Sequence, residues 1–202
     1  MPDLQALTLV CIAYLVGSIP FGLLVSRALA RVDIRRHGSG NIGTANVLRI
    51  VGKRAAALTL LGDLLKGFLP VVAARSLGVS ELWVAGVGLA AVLGHNWPVY
   101  LRFAGGKGVA TSFGALLAMT PLPALLGLLT WTAVVLVFRY TSLAALIASV
   151  CVPPVILFLT GAGPYLAFSL LTALLIFVRH RDNIKRLWAG TEHRVGQRVR
   201  VS

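Results

Sequence analysis

Seven apolar runs, parted by short polar stretches, constrain this chain more than any other feature. They cover residues 4–26, 55–74, 82–100, 108–120, 121–138, 141–160 and 164–179. A hydrocarbon core of ~30 Å is crossed by about 20 helical residues. Backbone in lipid must also satisfy its own N–H and C=O groups, which a helix does within one segment. With 57% hydrophobic and only 12% charged residues among 202, the expected fold class is an all-α integral membrane protein. It is read as a polytopic bundle of seven transmembrane helices forming a single membrane-embedded domain, 1–202. The first run has no basic segment ahead of it and is too long for a signal-peptide core, so it reads as a retained span. The fourth and fifth runs are short for two crossings and are split by Thr120-Pro121-Leu122-Pro123. A re-entrant hairpin is the alternative there, with the proline pair as its turn.

The cations orient the bundle. Of the 19 Lys and Arg residues, all but Arg75 and Lys66 fall on one side of the seven runs. By the positive-inside rule the N-terminus is outside and the C-terminus cytoplasmic. A net charge of +13 would suggest nucleic acid in a soluble protein. Here the cations sit between apolar runs without interleaved aromatics, so membrane lipids are the expected partner and nucleic acid is not. Cys11 and Cys151 lie in apolar runs away from any His or carboxylate and read as small packing residues.

Three polar motifs converge on the cationic side. The first is Gly38-Ser39-Gly40-Asn41 with Asn46 and Arg49 beyond it; Asn46, Arg49 and Lys53 would share a face if the segment is helical. Small residues of this kind turn backbone N–H groups toward an anion. The second is Gly105-Gly106-Lys107-Gly108-Val109-Ala110-Thr111. It lacks the leading glycine of a Walker A loop, since position 101 is Leu. A glycine loop feeding a helix N-terminus nevertheless suits phosphate, with Lys107 as countercharge and Thr111 as hydroxyl donor. The third, Arg179-His180-Arg181-Asp182-Asn183, follows the last run and puts His180 and Asn183 on one helical face. Arg179 reads as a headgroup anchor.

Around these motifs, Asp63 and Lys66 lie within the second run at a spacing that favours a structural ion pair. Asp33 reads as a local partner of arginines. His95 reads as an interfacial packing residue, and Ser142 as a helix cap or a substrate donor. Six carboxylates in all, none clustered, suggest no metal or other cofactor. No Gly-x-Ser-x-Gly elbow, His-Glu-x-x-His site or His-x-x-x-x-Asp pair is present. A phosphate transporter and a basic lipid-binding scaffold are the rival readings. The lack of an internal repeat weighs against the first, and the asparagines among the cations weigh against the second.

Taken in order, Gly-Ser-Gly-Asn, Asn-x-x-Arg, Gly-His-x-x-Pro-Val, Gly-Gly-Lys-Gly-Val-Ala-Thr and Arg-His-x-x-Asn-Ile-x-Arg-Leu closely resemble the bacterial acyl-phosphate:glycerol-3-phosphate acyltransferases, the PlsY family. The resemblance spans Tyr14 to His193. It implies seven spans in the bacterial inner membrane with cytoplasmic motifs. It also implies acyl transfer from acyl phosphate to the 1-hydroxyl of sn-glycerol 3-phosphate, giving lysophosphatidate and phosphate. Carried over by position, Ser39, Arg49, Lys107, His180 and Asn183 are expected to be catalytic. Ser39, Asn41, Asn46, Arg49, Gly105, Gly106, Lys107, Gly108, Thr111, Ser142, His180 and Asn183 are expected to bind substrate. Arg49 and Asn183 are assigned to glycerol 3-phosphate with Ser39 assisting, and Lys107 with its loop to the departing phosphate, an assignment open to exchange. The base is His180 or a substrate phosphate oxygen. One departure stands out: the family's Ala-Thr-Asn is Thr44-Ala45-Asn46 here, which displaces the hydroxyl by one position.

Overall fold

The structure is a computed structural model and describes residues 2–196; Arg198 and Arg200 of the cationic tail lie outside them. The first apolar run is two helices. The first, α1 (Pro2–Gly17), stops before Ser18-Ile19-Pro20, and α2 (Phe21–Ala30) follows. Pro20 has no N–H to continue the ladder and disfavours helical backbone before it, so the run bends where a straight span was expected. A 3₁₀ turn (Ile34–Arg36) and the short α3 (Thr44–Ile50) then carry the first polar motif. Gly52, at φ 117°, breaks α3 from α4 (Lys53–Ser76). Lys53 therefore opens a new helix and does not share a face with Asn46 and Arg49. Arg27 and Arg35 both pair with Asp33, at 2.9 and 2.6 Å, which closes the turn after α2 as expected. Those contacts hold the Asp33 carboxyl well below its usual range, the Arg35 hydrogen bond contributing most.

The remainder is α5 (Glu81–Asn96), α6 (Val109–Met119), α7 (Pro121–Phe138), α8 (Thr141–Thr160), α9 (Pro164–Arg179) and α10 (Arg181–Trp188). Among the described residues, five helical segments are long and apolar enough to cross a membrane: the bent Leu4–Ala30, α4, Glu81–Leu101, α7 and α8. The other two runs, α6 and α9, are shorter. The break between α6 and α7 falls at Thr120 alone. Pro121 and Pro123 lie in the first turn of α7, where a missing N–H costs no hydrogen bond.

Helix α5 is the axis, packed by α1, α4, α6 and α9. Its Val87, Ala91 and Val92 are fully buried with Val71 of α4, Ala115 of α6 and Ile156 of α8. Between α4 and α6 the backbones touch. A Cβ on Gly67 would overlap the Thr111 carbonyl, and one on Gly114 the Leu64 carbonyl. Lipid gives helices no hydrophobic drive to associate, so such close small-residue crossings supply the dispersion contact instead. Leucines accordingly face outward, among them Leu129, Leu136 and Leu174. Cys11 and Cys151 are exposed on that outer face, so neither packs the interior as expected. At the end of the bundle opposite the polar motifs, Arg75 of α4 donates to the carbonyls of Ala118 and Met119 at the end of α6.

Candidate active site

The first motif is folded by Asn46. Its amide donates to the carbonyls of Ile34, His37 and Asn41 at 3.2, 3.0 and 2.9 Å and accepts the Ser39 N–H at 3.1 Å. Asn46 is only 2% exposed. It shapes the loop that presents Ser39 and Asn41 and does not itself line the pocket. Arg49, one turn further along α3, reaches back to the Ser39 hydroxyl at 3.3 Å. Its Nε is buried without a partner. Thr44 and Ala45 occupy the first turn of α3, so the exchange with the family pattern does turn the hydroxyl about 100° around a helix.

The glycine loop packs on the end of α5. The Gly106 N–H donates to the His95 carbonyl at 3.0 Å, and a Cβ on Gly106 would overlap the His95 ring. Gly108 adopts φ 79°, the left-handed turn that opens α6 with no side-chain cap on its first N–H groups. Arg179 clamps the loop from the other side, donating to the carbonyls of Gly106 at 2.8 Å and Gly105 at 2.7 Å while stacking over Trp97. Its guanidinium is thus a loop-positioning group, not the headgroup anchor expected. Thr111 is fully buried, with its hydroxyl unpartnered and away from the pocket lining.

One carboxylate joins the third motif to the rest. Glu192 accepts from the Ser142 hydroxyl at 2.9 Å, Asn183 Nδ2 at 2.6 Å and Arg186 Nε at 2.7 Å. Asn183 Oδ1 in turn accepts from Lys107 Nζ. Asn183 is thus joined to Lys107 by a hydrogen bond, whereas the expected division of phosphates grouped it with Arg49. Ser142 does not cap α8; it holds Glu192. Burial pushes the Glu192 carboxyl up, but the Asn183, Arg186 and Ser142 hydrogen bonds together hold it below its usual range. Glu192 was not singled out from the sequence. The signal was there, as a lone carboxylate in a tail otherwise rich in arginine.

Two ionisable groups are shifted toward the neutral form. Burial, then the Arg186, Arg49 and Arg179 charges against the opposing pull of Glu192, lowers Lys107 to about 8. Burial and the neighbouring Lys107 lower His180 to about 4. The His180 Nδ1 lies 2.8 Å from the Ile176 carbonyl and so carries the ring proton, leaving Nε2 as an acceptor.

Ser39, Asn41, Trp97, Lys107, Arg179, Arg181, Asn183 and Arg186 line one pocket of about 350 Å³. Val178 and the Asp182 carboxylate complete the lining, and Arg49, Ser142, His180, Gly105, Gly106 and Gly108 are not part of it; three separate motifs thus meet at one end of the bundle around a mainly cationic space.

The family model for glycerol-3-phosphate acyltransferase matches residues 7–190. The chain belongs to that family. A glycerol-3-phosphate acyltransferase of Rubrobacter xylanophilus is 50% identical over 94% of this chain and 95% of its own. One of Geobacter sulfurreducens is 47% identical over 95% and 98%. The crystal structure of PlsY (YgiH), an integral membrane glycerol 3-phosphate acyltransferase, in its glycerol 3-phosphate form superposes with a TM-score of 0.90. It is 42% identical and covers 95% of this chain and 96% of that one. The lysophosphatidic acid form of PlsY gives 0.88 at 41% identity, covering 96% of both chains. As a member of this family the chain is an acyltransferase, and an integral membrane protein.

Proposed function

We propose that this acyltransferase moves an acyl chain from acyl phosphate to the 1-hydroxyl of sn-glycerol 3-phosphate, releasing lysophosphatidate and inorganic phosphate. It does so from the cytoplasmic side of the bacterial inner membrane, with one domain of seven spans, the N-terminus outside and the C-terminus cytoplasmic. The observation that carries this reading is the single pocket in which Lys107, Arg179, Arg181 and Arg186 stand beside Ser39 and Asn183. Two phosphate-bearing substrates repel one another, and fixed cations with oriented amides offset that repulsion. No cofactor is needed, because a mixed anhydride is already activated.

The geometry supports two anion subsites. Arg49 and Ser39 form one, and Lys107 with the Gly105–Gly108 loop forms the other. The acceptor hydroxyl attacks the acyl carbon, the bond to phosphate breaks, and the hydroxyl proton leaves to a nearby base. A group near 4 such as His180 is a weak base at neutral pH. A phosphate oxygen with its second pKa near 6 is better matched. The substrate phosphate then takes the hydroxyl proton directly, and His180, its Nδ1 committed to the Ile176 carbonyl, stays neutral beside Lys107. An apolar groove of about 220 Å³, lined by Leu146, Ile147, Val150, Cys151 and Phe177, suits the acyl chain. It begins one helical turn from both Ser142 and His180.

The test is a donor comparison with purified, reconstituted protein. Labelled glycerol 3-phosphate is offered palmitoyl phosphate or palmitoyl-CoA, and lysophosphatidate and phosphate are followed. Product from palmitoyl phosphate alone, with one phosphate released per acyl transferred, is expected. Product only from palmitoyl-CoA overturns the donor, and product from neither overturns the function.

A further inference from the structure

Behind the glycine loop, outside the pocket lining, three ionisable side chains are buried together. Asp63, Lys66 and His95 are 2%, 3% and 4% exposed. Lys66 Nζ donates to the Ile19 carbonyl at 2.8 Å, in the break between α1 and α2, and pairs with Asp63 Oδ1 at 2.8 Å. The same carboxylate oxygen lies 3.5 Å from His95 Nδ1, within electrostatic reach but not hydrogen-bonded, and that ring nitrogen is buried with no other partner. The far edge of the ring, at Nε2, is the atom a Cβ on Gly106 would strike first. The His95 carbonyl accepts the Gly106 N–H at 3.0 Å. His95 thus meets the loop through both its ring and its backbone, and the Asp63 carboxylate is the charged group facing the unpartnered nitrogen of that ring.

An ion pair alone accounts for Lys66 and Asp63. It does not account for a third ionisable ring set against the same oxygen, with its other edge on the loop. A buried pair adds little net stability compared with apolar residues of the same size, so stability alone does not explain three ionisable groups at this place. A phosphate cradle built from backbone works only when its N–H groups are aimed. Glycines have no side chains to hold them in place, so the aim must come from neighbours. Arg179 fixes the loop carbonyls on the pocket side, and the opposite side rests on His95 at Gly105 and Gly106 and on Asn96 at Gly108.

We propose that Asp63 is a positioning residue for the phosphate loop, acting through the His95 ring to set the backbone of Gly105–Gly108. The proposal rests on the reading of that loop as an anion cradle and not on the identity of the acyl donor.

The experiment measures inorganic phosphate binding to the full chain in detergent, with thermal unfolding of each variant alongside. The variants are Asp63→Asn, His95→Gln, the two combined, and Asp63→Asn with Lys66→Met. Each single change should weaken phosphate binding about tenfold, since a displaced cradle loses aim before it loses fold. The Asp63→Asn/His95→Gln pair should bind no worse than its weaker member, because the two changes cut one line of contact. Asp63→Asn with Lys66→Met removes both charges and should recover thermal stability while phosphate binding stays weak. Losses that multiply in the first double variant overturn the proposal. So does recovery of phosphate binding together with stability in the second. If Asp63→Asn alone fails to fold, His95→Gln still decides, because unchanged phosphate binding there overturns the proposal. Turnover of the unmodified protein, read in parallel with glycerol 3-phosphate and palmitoyl phosphate, tests the proposed function separately. In the variants it should show a raised KM for one phosphate substrate with a smaller change in kcat.

Discussion

Lys107 combines a countercharge with a titration close to working pH. Its free-enzyme value near 8 means it is charged below that pH and loses charge above it. Phosphate attraction weakens in that direction, so kcat/KM, which reports the free enzyme, should fall as pH rises through about 8. Lys107→Arg should move that limb upward at a lower plateau, since a guanidinium stays charged but reaches differently. A pH–rate profile on both proteins checks this. Glu192→Gln should lower stability by about 2 kcal/mol, the scale for stripping a buried charged acceptor from its donors. It should cut turnover at least tenfold, because Asn183 and Lys107 lose their hold; thermal unfolding and initial rates measure both. The contributors to the pocket were legible wherever a motif brought unusual residues together, as with Ser39 and Lys107. What could not be read was which polar side chains face inward to neighbours. Asn46 uses its amide on three carbonyls, and Arg179 grips a loop 73 residues away. The first folds a local loop whose turns the sequence does not spell out, and the second is made only once the helices have packed.

Among the elements, the α4–α6 crossing is set by two glycines that let carbonyls approach. Gly114→Ala should push α6 off Leu64 and cost about 1–3 kcal/mol, the usual penalty for overpacking. Since α6 also carries the loop, phosphate affinity should fall as well, and thermal unfolding beside phosphate titration separates the two effects. The α8–α9 groove makes a different claim. Val150→Trp should depress transfer of long acyl chains while sparing short ones, read as the ratio of kcat/KM for palmitoyl and octanoyl phosphate. Apolar runs revealed α4, α7, α8 and α9 nearly to the residue, because hydrophobicity in lipid needs no partner to be recognised. The first run misled, since its hydropathy continues through Pro20 while its backbone cannot. His95 misled for the converse reason. A histidine at a helix end looks interfacial until a second helix sets a buried carboxylate beside it.

For the whole molecule, the charge distribution supports the proposed orientation, and labelling can check it. In a chain with Cys11 and Cys151 replaced by Ala, Glu81→Cys should react with a membrane-impermeant maleimide on intact cells. Arg36→Cys should react only after the cells are opened. Both positions are exposed, so labelling in the reverse order would invert the topology. The shortness of α6 bears on the same geometry. Its 11 residues rise only about 16 Å, little more than half the depth of a ~30 Å hydrocarbon layer. The glycine loop stands at one end of this stub, and the Arg75 guanidinium lies on its last carbonyls at the other. Two charged stations so close together sit on a helix enclosed by its neighbours, so the protein itself, and not lipid, makes up the missing depth around α6. On the proposed reaction, a soluble alcohol and a greasy donor then need no common solvent: a loop carried on so short a helix would let the one arrive from water while the other stays among the helices.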